Sequence, residues 1–197
     1  MKVSSMPQDD SLQILFVPIE LPNQREMLAS WLSSEHWIFH ANPEPNFERI
    51  LQAVDNGGFQ GTNDSSFWMM LEAEYVGLIH LFDLEDIGDG APLFDLRIHH
   101  RFRGIGLGTR AVRWLTRYLF ERHANLERIE GTTRADNVAM RRVFRRCGFV
   151  KEAHFRRAWT DVGGQHFDAI GYGILRDDWT NQTVTPVQWD DETSFDL

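Results

Sequence analysis

The stretch "HHRFRGIGLGTRAVRWL", His99 to Leu115, sets three alternating glycines between a run of arginines and a segment with helical periodicity. A helix start leaves several backbone N–H groups unpaired, and the aligned peptide dipoles place about half a positive charge there. Such a start attracts anions. Glycines at Gly104, Gly106 and Gly108 let the main chain curl around a phosphate and meet it directly, with Arg103 adding charge and Thr109 a hydroxyl. The order strand, basic residue, glycine loop and amphipathic helix therefore reads as a phosphate-binding element.

Nucleotide-binding loops of other kinds do not fit. A dinucleotide loop has a third glycine at a fixed offset and an acidic residue about 20 residues on, and a nucleoside triphosphatase loop ends in Gly-Lys followed by Ser or Thr. "GIGLG" offers neither. The surroundings are strongly basic, with sixteen Arg/Lys against five Asp/Glu between Arg97 and Arg157, although the whole chain carries a net charge of −9. That acidic total argues against non-specific nucleic-acid binding.

At 197 residues and 42% hydrophobic content, the chain can bury one substantial core, and we expect one domain over residues 1–179 followed by a polar, acidic tail, 180–197, loosely ordered. One cysteine, Cys147, excludes an internal disulfide and fits a reducing compartment. No leader or apolar membrane span is visible, so the expectation is a soluble cytoplasmic protein.

Seven stretches read as strands: "LQILFVPI", "SFWMML", "YVGLIHLFDL", "APLFDLRIH", "LERIEGTT", "FVKEAHFRRAWT" and "HFDAIGYGIL". Turn residues Asp55–Ser66, a reversal near Glu72 and "DVGGQ" punctuate them. Helical spacing covers residues 23–37 and 46–55, the segment after Gly106, where Leu107, Ala111, Leu115 and Tyr118 or Leu119 share a face, and the segment after Asp136. In the last, Met140, Val143, Phe144 and Cys147 form the stripe, Asp136 is the expected N-cap and Gly148 the stop.

Arg103 to Gly108 matches the Gln/Arg-x-x-Gly-x-Gly/Ala signature of the GNAT superfamily of acetyl-CoA-dependent N-acetyltransferases, and "RIEGTTRADNVAMRRVFRRCGFVKEAHFRR" (Arg128–Arg157) resembles the second half of that fold. The chain most resembles the branch holding ribosomal-protein N-terminal and small-molecule amine acetyltransferases. The resemblance implies a mixed α/β fold: a central, mostly antiparallel, twisted sheet of these seven strands, splayed at its middle and flanked by helices. It implies acetyl-CoA as co-substrate, without a metal. Leu96, Arg97 and Ile98 would offer backbone groups to the pantetheine arm. Arg103, Gly104, Ile105, Gly106, Leu107, Gly108 and Thr109 would cradle the pyrophosphate; Asn137 would bond the pantetheine, and Arg142 or Arg141 the ribose phosphate. Where many relatives carry a tyrosine acid, this chain has Phe144.

Attack on a thioester needs a neutral amine, so a base must take its proton. Glu130, Asp95 and His80 are the candidates, the carboxylates because an acid in an apolar strand is costly unless it is paired or used. Pairing with Arg97, Arg128 or Arg134 is the plain alternative. Trp31, Trp37, Phe39, Trp68 and Trp159 could wall a pocket, and the acidic loop Phe82–Gly90 could draw cationic amines. The expected partner is an amine, a cationic small molecule or a peptide N-terminus. The oligomeric state stays open, a homodimer included. The alternative to an enzyme is a non-catalytic acetyl-CoA sensor of the same fold.

Overall fold

The computed structural model describes residues 13–21, 23–88 and 92–189. Strands β1 (Ile14–Pro18), β2 (Ser65–Leu71), β3 (Glu74–Phe82) and β4 (Leu93–Ile98) form one sheet in that order. β5 (Arg128–Arg134), β6 (Val150–Thr160) and β7 (His166–Leu175) form a second, ordered β5-β7-β6. Every ladder is antiparallel, and none joins β4 to β5. The expected seven-stranded antiparallel architecture thus holds, with its middle opened. Leu12, at the edge of the expected first strand, and Ala91, at the edge of the fourth, lie outside the described residues.

β2 and β3 are apolar on both faces because both are covered. On one face, Phe67, Met69, Ile79 and Leu81 pack on helix α3 (Leu107–Arg122), whose Leu107, Ala111, Leu115 and Leu119 are fully buried. Burying each such leucine stabilises the fold by about 1.5–3 kcal/mol. On the other face, Trp68 and Leu78 meet α1 (Arg25–Ser33) and α2 (Phe47–Asp55) through Leu28, Leu32, Ile50 and Val54. Glu72, at φ 55°, makes the β2–β3 reversal.

In the second half, α4 (Val138–Arg146) starts one residue later than Asp136 suggests. Asn137 is the N-cap, its side chain accepting from the Met140 N–H at 3.1 Å, because both carboxylate oxygens of Asp136 are held by Arg134. Gly148 ends the helix at φ 88°. Phe144, the centre of the apolar stripe, is buried and stacks on Tyr172 at 4.8 Å. The hairpin between β6 and β7 turns on Asp161, whose carboxylate accepts from Gly163 and Gln165.

The sequence reading has no helix after β7, yet Arg176–Asn181 forms α5. Its Asp178 accepts hydrogen bonds from Thr183 and Thr185. The start of the expected loose tail is therefore fastened, and residues 190–197 lie outside the described residues.

Gly131 lets the two sheets meet at the closed end of the split: a Cβ there would lie 2.5 Å from Phe144 Cζ and 3.1 Å from Phe94 Cζ. Gly131→Ala should destabilise the protein by about 1–3 kcal/mol, measured as a lowered urea midpoint, since both rings are held by the core.

Candidate active site

The parity of β4 decides what its open edge can do. His99 N–H donates to Val76 O at 3.0 Å, so in this regular antiparallel register Asp95 and Arg97 also turn their peptide groups to β3. Phe94, Leu96 and Ile98 turn theirs to the gap facing β5. Ala135 N–H donates to Asp168 O, which by the same alternation points the peptide groups of Glu130, Thr132 and Arg134 into the gap from the other side. A cleft of about 390 Å³ opens there, lined by Leu96 and Ile98, the glycine loop, α4 and the loop after α1.

At the mouth of the cleft, Gly104 (φ 85°) and Gly106 (φ 90°) adopt left-handed backbone that side chains resist, with open space around both. Gly108 answers a different need: a Cβ would sit 3.2 Å from Val143 of α4. Among the described residues nothing accepts from the N–H groups of residues 104–108, and the first bonds of α3 come from Thr109 and Arg110 to Gly106 O. Five consecutive free donors at a helix start form an anion cradle.

Ten of the residues expected to hold the cofactor line this cleft: Leu96, Ile98, Arg103, Gly104, Gly106, Leu107, Gly108, Thr109, Asn137 and Arg142. Ile105 is not part of that lining, and its side chain is half exposed. Arg97 lies behind β4, outside the cleft lining; Arg141 of α4 is also outside that lining and donates to Ala135 O and Tyr172. Asn137 lines the cleft while capping α4 and donating to Thr133. Arg103 braces the loop, donating to Ile98 O at 2.8 Å and pairing with Glu35. Arg142 and Arg146 continue the cleft outward into a basic recess that Arg145 completes. Of the named aromatics, Trp37 and Phe39 line it. Trp31 and Trp68 stack in the core beneath Trp37, and Trp159 sits on β6.

The three candidate bases separate. Glu130 pairs with Arg128 at 2.9 Å, away from the cleft. His80 bonds Asp64 at 2.6 Å and lines a second cavity on the opposite face of β4. Asp95 also faces that cavity, and its Oδ1 lies 2.9 Å from Nδ1 of His40, a cleft residue. Burial alone would raise the Asp95 pKa, but His40 and Arg97 together hold it well below the usual carboxylate range. Asp95 is a fixed anion. His40 went unnoticed in the sequence, where one histidine in "HWIFHANPEP" has no periodic signal. Phe144 and Cys147 offer no acid: the first is core, and burial pushes the Cys147 thiol up to about 11.

Glu35 fastens the α1–α2 loop to the cleft. Its carboxylate accepts from the His100 N–H at 2.8 Å and pairs with Arg103, while His99 and His100 Nδ1 stand beside it. Burial opposes its charge, yet the His100 bonds and Arg103 win, lowering its pKa below 4.5. A lowered folded pKa gives stability that is complete above the ordinary value and lost as pH falls through the folded one. Glu35→Gln should cost roughly 1–3 kcal/mol at pH 7, and urea midpoints of variant and parent should converge as the pH falls through the lowered pKa of Glu35.

The Acetyltransferase (GNAT) domain model matches residues 13–150. A candidate ribosomal N-acetyltransferase, YdaF of Bacillus subtilis (strain 168), is 29% identical over 149 residues, covering 74% of this chain and 80% of its own. The spermidine N-acetyltransferase from Vibrio cholerae, solved with CoA and spermine, superposes with a TM-score of 0.71 at 19% identity over 86% of this chain and 99% of that one. With a signature loop, an opened sheet and a family match over most of its length, the chain belongs to the GNAT acetyltransferase family.

Proposed function

We propose that the protein moves an acetyl group from acetyl-CoA to a primary amine of a small molecule or a peptide N-terminus. The observation that carries this reading is the row of free N–H groups over residues 104–108, set at the start of α3 and opening onto the unladdered edge of β4. A diphosphate fits those donors, since no acidic residue occupies the first turn of α3. Arg142, Arg145 and Arg146 would take the ribose phosphate, and the peptide groups of Leu96 and Ile98 the amide-bearing arm. When bound, the co-substrate supplies an activated acyl group as a thioester. The Leu96 N–H, pointing into the gap, is the donor placed to meet charge developing on the acyl oxygen.

The acceptor reaches the cleft as an ammonium, and its proton goes to the imidazole of His40. Asp95 holds the Nδ1 side of that ring, leaving the other nitrogen to accept. Because Phe144 is sealed in the core, the departing thiolate draws its proton from the product ammonium, from water or from His40 itself. The same buried, neutral Cys147 thiol supports a cytoplasmic setting.

Gly106→Val forces a β-branched residue into left-handed backbone and turns donors away from the cradle. It should weaken acetyl-CoA binding roughly tenfold or more by calorimetry while the protein stays folded; undiminished affinity would defeat the reading. His40→Gln should lower kcat/KM by about 10²-fold, with acetyl-CoA affinity retained. An unchanged kcat/KM would remove His40 from that role.

A further inference from the structure

Behind β4, on the face away from the cofactor cleft, lies a cavity of about 210 Å³. Leu78, Asp95 and Arg97 form its floor, and Asn46 and Arg49 of the α2 start its wall. It abuts the cleft where Asp95 on its floor lies 2.9 Å from His40 in the cleft. From this we infer that the cavity is the acceptor pocket and that it takes an amine carrying a carboxylate. The inference rests on the acetyl-transfer reading for its amine, and on Arg97 for its carboxylate.

The Arg97 side chain is only 9% exposed. Nε and Nη2 both donate to a single oxygen of Asp95, at 3.0 and 2.8 Å, which uses one edge of the planar guanidinium. Nη1, on the other edge, is shut off from solvent and, like Oδ1 of Asp95, has no hydrogen-bond partner among the described residues. A buried, charged donor left without an acceptor is expensive, and such groups in folded proteins are commonly completed by a ligand or ordered water. The free Nη1/Nη2 edge has the fork geometry that a carboxylate matches with both oxygens.

Charge around the cavity points the same way. Asp95 is paired with Arg97, and Asp64 lies 2.6 Å from His80. Arg49, on the exposed side of α2 at the rim, forms no ion pair among the described residues. The lining thus carries two permanent cations, Arg49 and Arg97, against the one carboxylate of Asp95, which favours an acid over a polycation. The acidic loop once expected to draw cationic amines stands apart: Glu85 is tied to Thr62 and Asn63, and Asp89 lies outside the described residues. With its carboxylate on Arg97, an amino-acid-sized ligand would reach with its amine toward His40, where the two spaces meet.

The test is calorimetry on the CoA-loaded protein, titrated with free amino acids, the same amino acids as C-terminal amides, and spermine, followed by acetyl-CoA turnover on the same set. The acids should bind roughly tenfold tighter than their amides or more, and spermine least. Arg97→Gln should erase the acid-to-amide ratio. Because that change also frees Asp95, Arg49→Met serves as the second variant, and it should reduce the ratio without touching Asp95. Amides or spermine bound as tightly as the acids, or a ratio unchanged in both variants, would overturn the proposal. Acid-selective binding without any acetylated product would sustain the pocket and defeat acetyl transfer; turnover of amides or spermine without acid selectivity would do the reverse.

Discussion

Two strand edges that face each other and do not pair set the terms for this protein. The peptide groups of Leu96 on β4 and Thr132 on β5 point into a shared gap with no ladder across it. Backbone groups removed from water need partners, so a gap of this kind persists only if the surrounding structure holds it open and a ligand or water fills it. The fold does both jobs with few residues. At the closed end, Phe94 and Phe144 wedge over Gly131. At the open end, the loop after α1 spans the split: Arg134 donates to Ile38 O, Glu35 holds His100 and Arg103, and Asp95 holds His40.

Those spanning contacts are ionic, and their worth comes from burial and company rather than from count. Arg134 is buried, lies 3.6 Å from the Phe167 ring centroid, and satisfies Asp136 with two donors while reaching the loop with a third. A lone surface ion pair would contribute little, whereas removal of one partner from such a desolvated cluster strands the other. The loop therefore resists displacement while its aromatic members, Trp37 and Phe39, roof the cleft. Trp37 is itself fixed, donating to Leu32 O at 2.7 Å. Much of the arginine richness of the central third of the sequence thus serves architecture, and the arginines open to the cleft's outer recess gather at the exposed end of α4.

What the sequence discloses is local. Glycines 104, 106 and 108 could be read because positive φ and a close helix approach tolerate no other residue, and the α3 and α4 stripes because burial repeats with the helical period. The two-residue period of β4 names which residues oppose one another without saying which set faces the gap; only the His99–Val76 bond settles it. Partners far apart in the chain left no trace either. Glu35 lies 68 residues before Arg103, and that carboxylate spends an arginine the sequence assigns to phosphate. The choice of Asn137 over Asp136 as cap follows from the same competition, since Arg134 claims the aspartate first.

β4 keeps the cleft and the second cavity apart although one strand lines both. Successive side chains take opposite faces, so Leu96 and Ile98 stand in the cofactor cleft while Asp95 and Arg97, their immediate neighbours, floor the second cavity. A slip of one residue would exchange the two sets and put a buried ion pair against the cofactor. Gly77 guards against it. Its Cβ would lie 2.8 Å from both Arg97 O and Met69 Sδ, so β3 can approach β4 this closely in one register only, opposite Ile98. A residue with no side chain, on the neighbouring strand, thereby fixes which face of β4 lines the cleft and which floors the second cavity.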